Sequence, residues 1–137
     1  LRELWADTDR EMHVVTTASL AGQTIKAWSL ERARESGIGR KGYSDGVQLV
    51  LAPNERQVRI EVGCGLEAWL TDEIAAEIID RKMLPAFRTG EMFDGLQNGV
   101  SAIDERLRSD PRTDAQLLKD ARSACPELYV EPERARN

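Results

Sequence analysis

Two strand-like runs joined by a four-residue turn constrain the fold of this chain more than any other feature. "VQLVLA" (47–52) and "QVRIEVG" (57–63) flank "PNER", whose Pro-Asn pair is typical of a turn, so they predict an antiparallel hairpin. A connection at residues 53–56 fixes the register and gives the apolar partners one shared, buried face. The predicted pairs are Ala52 with Gln57, Leu51 with Val58, Leu49 with Ile60, and Val47 with Val62.

The segments before the hairpin predict a β-α-β arrangement. "HVVTT" (13–17) is rich in β-branched residues, and "TIKAWSLERARES" (24–36) has helical spacing and is followed by Gly37, a common helix terminator. Strand 13–17, helix 24–36 and strand 47–52 together predict a parallel strand pair joined by a crossover. The fold class is therefore α/β, a three-layer α/β/α sandwich with a small mixed sheet flanked by helices.

Further helices are predicted on both sides of this unit. Thr71 can N-cap a helix whose first turn carries Asp72 and Glu73, and Pro85 breaks or kinks that helix. Apolar residues from Phe93 to Leu107 repeat at three- and four-residue spacing and predict a long helix. We expect an α/β domain at 1–108 and a C-terminal extension at 109–137, with additional helices at 1–11 and 113–124.

Composition excludes several classes of protein. The net charge of −5 opposes non-specific binding to nucleic acid, and the uninterrupted apolar runs are too short for a membrane span. With two cysteines and one histidine, the usual four-ligand zinc site is improbable. We therefore expect neither a nucleic-acid-binding protein nor a zinc protein.

Three carboxylates near one end of the hairpin form the strongest candidate for a metal site. The register brings the loop before strand 47–52, with Asp45, to the same sheet end as the turn that holds Glu67 and leads to Asp72. Ca²⁺ and Mg²⁺ prefer such oxygen ligands, and a bound cation would also polarise a phosphate. The alternative is structural: Asp45 caps a turn, Asp72 serves the helix N-terminus, and Glu67 is solvated.

The glycine-rich stretch "GIGRKGYSDG" (37–46) lies at the same end and predicts a mobile, partly basic loop. Arg40 and Lys41 are candidates for contact with an anion, and Tyr43 is a candidate anchor for a partner. A solvated basic loop is the alternative.

Other motifs give weaker signals for chemistry. "GCGLEA" (63–68) fits the spacing of a dinucleotide fingerprint, but here the strand closes a hairpin and no helix follows at once. Cys64 has no neighbouring base that the sequence identifies, and Asp7-Thr8-Asp9 lies in a predicted helix rather than at a strand end. No catalytic residue is assigned.

In their order along the chain, these fragments resemble the TPM domain family, named for thylakoid-lumen phosphatase, photosystem II repair and receptor-modulator members. The shared features lie between about Val14 and Leu107. They are the Gly-Ile-Gly loop, Asp45-Gly46 before the central strand, "RIEVGCGLE" (59–67), Leu70-Thr71-Asp72, and "LPAF" (84–87) followed by Gly90 and Gly95.

The resemblance implies an extracytoplasmic or lumenal α/β/α domain, often tethered to a membrane by segments outside this sequence. For some relatives it implies acid phosphatase activity or binding of Ca²⁺ or another divalent cation. Relatives usually carry an aspartate-bearing segment upstream of the first helix that this sequence lacks. Because the sequence begins at Leu1 without a methionine, we expect a preceding segment, which could hold an export signal. We expect a periplasmic or extracytoplasmic location and a protein partner at an envelope or membrane surface.

Both cysteines depart from the family pattern: Cys64 stands between the two glycines, where relatives have a larger residue, and Cys125 lies beyond the matched region. In an exported protein this coincidence suggests a Cys64–Cys125 disulfide that pins the extension to the hairpin. Such a bond would contribute roughly 4 kcal/mol in the chain-entropy model.

Two functional hypotheses follow. The first is an exported or membrane-associated interaction and assembly module with the Asp45 loop end as its contact surface and room for Ca²⁺ or Mg²⁺ as a structural ion. The second is a weak metal-assisted acid phosphatase in which Asp45 and Glu67 hold the ion and Arg40 or Lys41 steers the phosphate. The first is favoured, because the sequence identifies no nucleophile or general base.

Overall fold

The structure is a computed structural model that describes residues 11–126. Its strands are β1 (Glu11–Thr16), β2 (Gly46–Ala52) and β3 (Gln57–Val62), which form one sheet in the order β1-β2-β3. β1 pairs with β2 in parallel and β2 pairs with β3 antiparallel, so the predicted mixed sheet is confirmed. The helix predicted at 1–11, with the Asp7-Thr8-Asp9 segment, falls almost wholly outside the described residues, and Glu11 already belongs to β1.

The predicted hairpin and its register are confirmed. Val47 pairs with Val62, and the pairing continues to Ala52 with Gln57 at the turn. Every residue of β2 is buried, because this central strand has a neighbouring strand on each edge and helices on both faces. Val47 and Leu49 point into the main core, together with Ile60 of β3.

The first helix, α1 (Ile25–Ser36), covers the opposite face of the sheet. Thr24 accepts a hydrogen bond from the Ala27 amide at its start, and Gly37 ends it in the left-handed conformation, as the sequence predicts. The Gln48 side chain donates to the Ser29 carbonyl at 2.9 Å, which joins helix and sheet by a buried polar contact. A helix on this face and helices on the other give the predicted α/β/α layers.

The second helical layer begins at α2 (Asp72–Ile78), which Thr71 N-caps as predicted. A π-helical segment, Ile79–Met83, then leads into the short α3 (Leu84–Arg88). Pro85 has no backbone N–H to donate to the preceding turn, so the predicted irregularity is present, and it lies just before the proline.

The long helix α4 (Met92–Arg108) and the final helix α5 (Asp114–Ala124) complete the fold. α4 buries Ile103 and Leu107 in the main core, and α5 adds Leu117, which is fully buried in the same cluster. The helix of the C-terminal extension therefore packs on the α/β domain. No helix of residues 11–126 has both the length and the apolar character needed to cross a membrane.

Candidate functional site

The sheet end at which β2 begins and β3 finishes is where the sequence places the candidate site. We call it the hairpin end, comprising the glycine loop (38–45) and the exit turn (63–70). The Gly63 amide donates to the Gly46 carbonyl at 2.8 Å, and the Gly65 amide donates to the Ser44 carbonyl at 3.0 Å. The glycine loop and the exit turn are thus in direct contact, as the register predicts.

The glycines of the exit turn are required by space. A Cβ at Gly63 would lie 2.1 Å from the Ser44 carbonyl oxygen, and one at Gly65 would lie 1.9 Å from the Tyr43 carbonyl oxygen. Gly63 has a φ of −62°, which any residue adopts. Glycine is therefore required at this position because the glycine loop passes close to it, and not because of its backbone conformation. Because both glycine amides donate to the protein's own carbonyls, this turn is not built to cradle a phosphate.

Asp45 is fully buried, and Arg40 engages both oxygens of its carboxylate. Oδ1 accepts from the Arg40 backbone amide at 2.8 Å, and Oδ2 accepts from the Arg40 Nη2 at 2.7 Å. Burial alone would lower the pKa of Arg40, but hydrogen bonds and charges from Asp114 and Asp45 outweigh it and raise that pKa. Asp45, the residue predicted first as a metal ligand, is therefore paired with the Arg40 guanidinium of the same chain.

Arg40 also connects the glycine loop to α5. Its Nη2 lies 3.0 Å from Asp114 Oδ1, and its guanidinium stacks 4.0 Å from the centre of the Tyr43 ring. Tyr43 is half-buried and packs against the main core, whereas Lys41 is exposed. Of the three residues predicted to contact an anion or a partner, Lys41 is the one that the fold leaves to solvent.

Glu67 and Asp72, the other predicted metal ligands, do come together. With Thr71 and Glu73 they line a cavity of about 390 Å³, which we call the acidic pocket. Burial, followed by the charges of Asp72 and Glu61, raises the pKa of Glu67 above its ordinary value. Within residues 11–126, no basic side chain forms an ion pair with the three pocket carboxylates.

The fit of this region to a divalent cation is partial. Carboxylate oxygens are the donors that Ca²⁺ and Mg²⁺ prefer, but both ions need several such ligands. In the described part of the chain, no three Asp, Glu, His or Cys side chains are grouped so that they could hold a metal ion. Glu67 and Asp72 alone do not make a complete site.

The two cysteines meet at the hairpin end with free thiols. Cys64 opens a short 3-10 turn, Cys64–Leu66, that packs against α5, the helix that Cys125 follows. Cys125 lies just after α5, is 3% exposed, and donates from Sγ to the Ala121 carbonyl at 3.3 Å. Burial, with the Cys125 contact and the charge of Glu67, raises the pKa of the Cys64 thiol to about 12. A thiol protonated at neutral pH is a poor nucleophile.

Sequence reasoning missed a second arginine at this end. Arg112, in the α4–α5 connection, donates to the Gly65 carbonyl at 3.1 Å and to the buried Asp110 carboxylate at 2.7 Å. The hydrogen bond to Asp110 is the main cause that raises the pKa of Arg112. Its only signal in the sequence is the Asp-Pro-Arg segment after the last apolar residue of α4, which does not indicate what the guanidinium contacts.

Comparison with known proteins identifies the family to which this fold belongs. Residues 1–106 match the model of the TPM domain. The chain is also similar to a structure solved by solution NMR, the N-terminal domain of a protein from P. gingivalis, with 36% identity and a TM-score of 0.72. That similarity covers 78% of this chain and 68% of the other. No curated protein gives a significant match. Because the family match spans most of the chain and the solved relative shares its fold, this protein belongs to the TPM domain family.

Proposed function

We propose that this TPM domain is an extracytoplasmic interaction module whose acidic pocket binds a basic segment of a partner protein at the envelope. The observation that carries the proposal is one cavity lined by Glu67, Asp72 and Glu73, none of which forms an ion pair within residues 11–126. A Lys or Arg side chain entering the cavity would favour the ionised form of Glu67, which burial first, and then the charges of Asp72 and Glu61, now disfavour.

The pocket is a better contact surface than the glycine loop. Arg40 and Asp45 bind each other, so an incoming partner would have to break a buried ion pair to use either residue. The acidic pocket makes no such demand, since Glu67, Asp72 and Glu73 are exposed and form no ion pair within residues 11–126. Its volume of about 390 Å³ is within the range of about 300–1,000 Å³ that is typical of ligand sites.

Binding of Ca²⁺ or Mg²⁺ by Glu67 and Asp72 is a weaker form of the same proposal, because two carboxylates leave most of the coordination to water. The phosphatase alternative has less support. It needs Asp45 and Glu67 to hold the ion and Arg40 or Lys41 to steer the phosphate. Asp45 and Arg40 are paired with each other, which leaves Lys41 as the exposed candidate for the phosphate contact.

The test is a titration of the full chain with a short fluorescent Lys-rich peptide, compared between wild type and Glu67→Gln. We expect Glu67→Gln to weaken binding about threefold or more, and added salt to weaken it further, because exposed charge interactions are screened. Glu35→Gln is the matched control, since it removes the same charge from an exposed position on α1 and should change the affinity less than about twofold.

Stability at two pH values checks that the variant is folded. The pKa of Glu67 is raised in the folded state, so its contribution to stability is present below the ordinary value of 4.5 and is lost as the pH rises. Glu67→Gln should therefore raise Tm slightly at pH 7 and leave it nearly unchanged at pH 4.

Equal peptide affinity in wild type and Glu67→Gln would refute the acidic pocket as the contact surface. If Ca²⁺ or Mg²⁺ raised Tm in wild type but not in Glu67→Gln, while the peptide did not bind, the cation form would replace the peptide form. Phosphate ester hydrolysis that falls in Asp45→Asn, at unchanged Tm, would favour the phosphatase.

A further inference from the structure

The pair of cysteines at the hairpin end joins two parts of the chain that are distant in sequence. Cys64 follows β3 and Cys125 follows α5, the 3-10 turn that Cys64 opens packs against α5, and the Cys125 thiol contributes to the raised pKa of Cys64. Ser44 of the glycine loop lies beside them, with its Oγ 4.0 Å from the Cys125 Sγ and its carbonyl accepting from the Gly65 amide. A disulfide at this place requires the two sulfur atoms to approach to roughly 2.05 Å.

The surroundings favour a structural bond over a catalytic thiol. A reactive cysteine requires a stabilised thiolate, whereas burial and nearby negative charge disfavour the thiolate of Cys64. A thiol of raised pKa is also a poor leaving group, so attack on Cys125 that expels Cys64 would be slow. Cys64 is half-buried, which leaves an approach for an oxidant, while Cys125 is covered.

We propose that Cys64 and Cys125 form a disulfide that locks α5 and the C-terminal extension onto the exit turn. In the first step, Cys64 loses its proton and its thiolate attacks a low-molecular-weight disulfide such as oxidised glutathione, forming a mixed disulfide and releasing one glutathione thiolate. This step is slow because only a small fraction of Cys64 is thiolate at neutral pH. In the second, Cys125 gives up its proton and displaces the other. Two protein thiols become one disulfide, and both electrons and both protons pass to two molecules of glutathione.

The bond would tie α5, which lies beyond the residues matched by the family model, to the exit turn. It would close a loop of about 60 residues that contains α2, α3, α4 and α5, and it would restrict the unfolded chain accordingly. It would also hold Asp114 against Arg40 and Arg112 against Gly65. The proposal shares with the proposed function only the oxidising compartment, because the sulfur contact itself is independent of any partner.

The test uses the full chain, purified reduced and then equilibrated with a mixture of oxidised and reduced glutathione. We expect the mass to fall by two hydrogens, and a non-reduced digest to contain one cross-linked peptide holding Cys64 and Cys125. We also expect the Tm of the oxidised form to exceed that of the reduced form by on the order of 10 °C, because the disulfide closes the loop between residues 64 and 125. Cys125→Ser, treated identically, should gain neither the cross-link nor the rise in Tm.

Two free thiols after this treatment, measured by alkylation under denaturing conditions, would overturn the proposal, as would a cross-link that lowers Tm. The digest needs only the wild-type chain, so a poorly folded Cys125→Ser variant leaves the test intact. Peptide titration of both redox forms keeps this result separate from the proposed function: a cross-link without peptide binding rejects only the interaction proposal, and peptide binding without a cross-link rejects only the disulfide.

Discussion

Asp45 holds the glycine loop in place through the buried ion pair with Arg40. We predict that Asp45→Ala destabilises the protein by about 3 kcal/mol, because it strands a partly buried guanidinium and removes the acceptor of the Arg40 amide. Denaturant unfolding of wild type and variant would measure the change.

Asp114→Ala is the control for this prediction. It removes the other carboxylate that Arg40 contacts, but the Asp114 side chain is 61% exposed. Because exposed ion pairs contribute little, we expect a loss below about 1 kcal/mol. Comparable losses in the two variants would contradict the central role of Asp45.

The candidate site was predicted in part because location depends on register and chemical role depends on packing. Hairpin pairing placed Asp45 and Glu67 at the same sheet end from the sequence alone. An aspartate that binds a metal ion and an aspartate that pairs with an arginine look the same in the sequence, however. Arg40 was assigned to an outside anion, since nothing in the local pattern indicates that its side chain turns back onto Asp45.

At the scale of elements, the exit turn requires glycine at two positions, Gly63 and Gly65, because a side chain at either would collide with the glycine loop. We predict that Gly65→Ala destabilises the fold by about 3 kcal/mol, because the new Cβ would lie 1.9 Å from a backbone oxygen that the glycine loop cannot easily move. Thermal or denaturant unfolding would measure it.

Gly22→Ala provides the comparison for Gly65→Ala. A Cβ at Gly22 meets nothing within 4 Å, but its φ of +79° strains any other residue, so we expect a loss of about 1 kcal/mol. If Gly65→Ala were no worse than Gly22→Ala, the close passage of the two loops would not be what selects glycine.

Elements with local signals were predicted well, and those shaped by distant contacts were not. Thr71, Gly37 and the Pro-Asn turn act within a few residues, so their caps and turn could be inferred from sequence. The π-helical segment 79–83 ends at Met83, which packs against Gly99 of α4. A Cβ added at Gly99 would lie only 2.6 Å from the Met83 sulfur. That contact depends on the path of α4, which local sequence does not specify.

At the scale of the whole molecule, α5 belongs to the folded unit although the family match ends at residue 106. We predict that Leu117→Ala destabilises the protein by about 3 kcal/mol, because it leaves a cavity in the main core. Leu118→Ala, next to it and half-buried, makes the same change in helix propensity and should cost about 1 kcal/mol or less. Equal effects in unfolding experiments would mean that α5 is only an attached helix.

The complete burial of β2 has a consequence for how the domain opens. Its seven residues hold β1 on one edge and β3 on the other, and they support α1 on one face and the main core on the other. Fraying can begin at helix ends or in the glycine loop, but β2 cannot separate without disrupting both layers at once. Its amide protons therefore exchange with solvent only when the whole domain unfolds, which makes the layers around this strand a single cooperative unit.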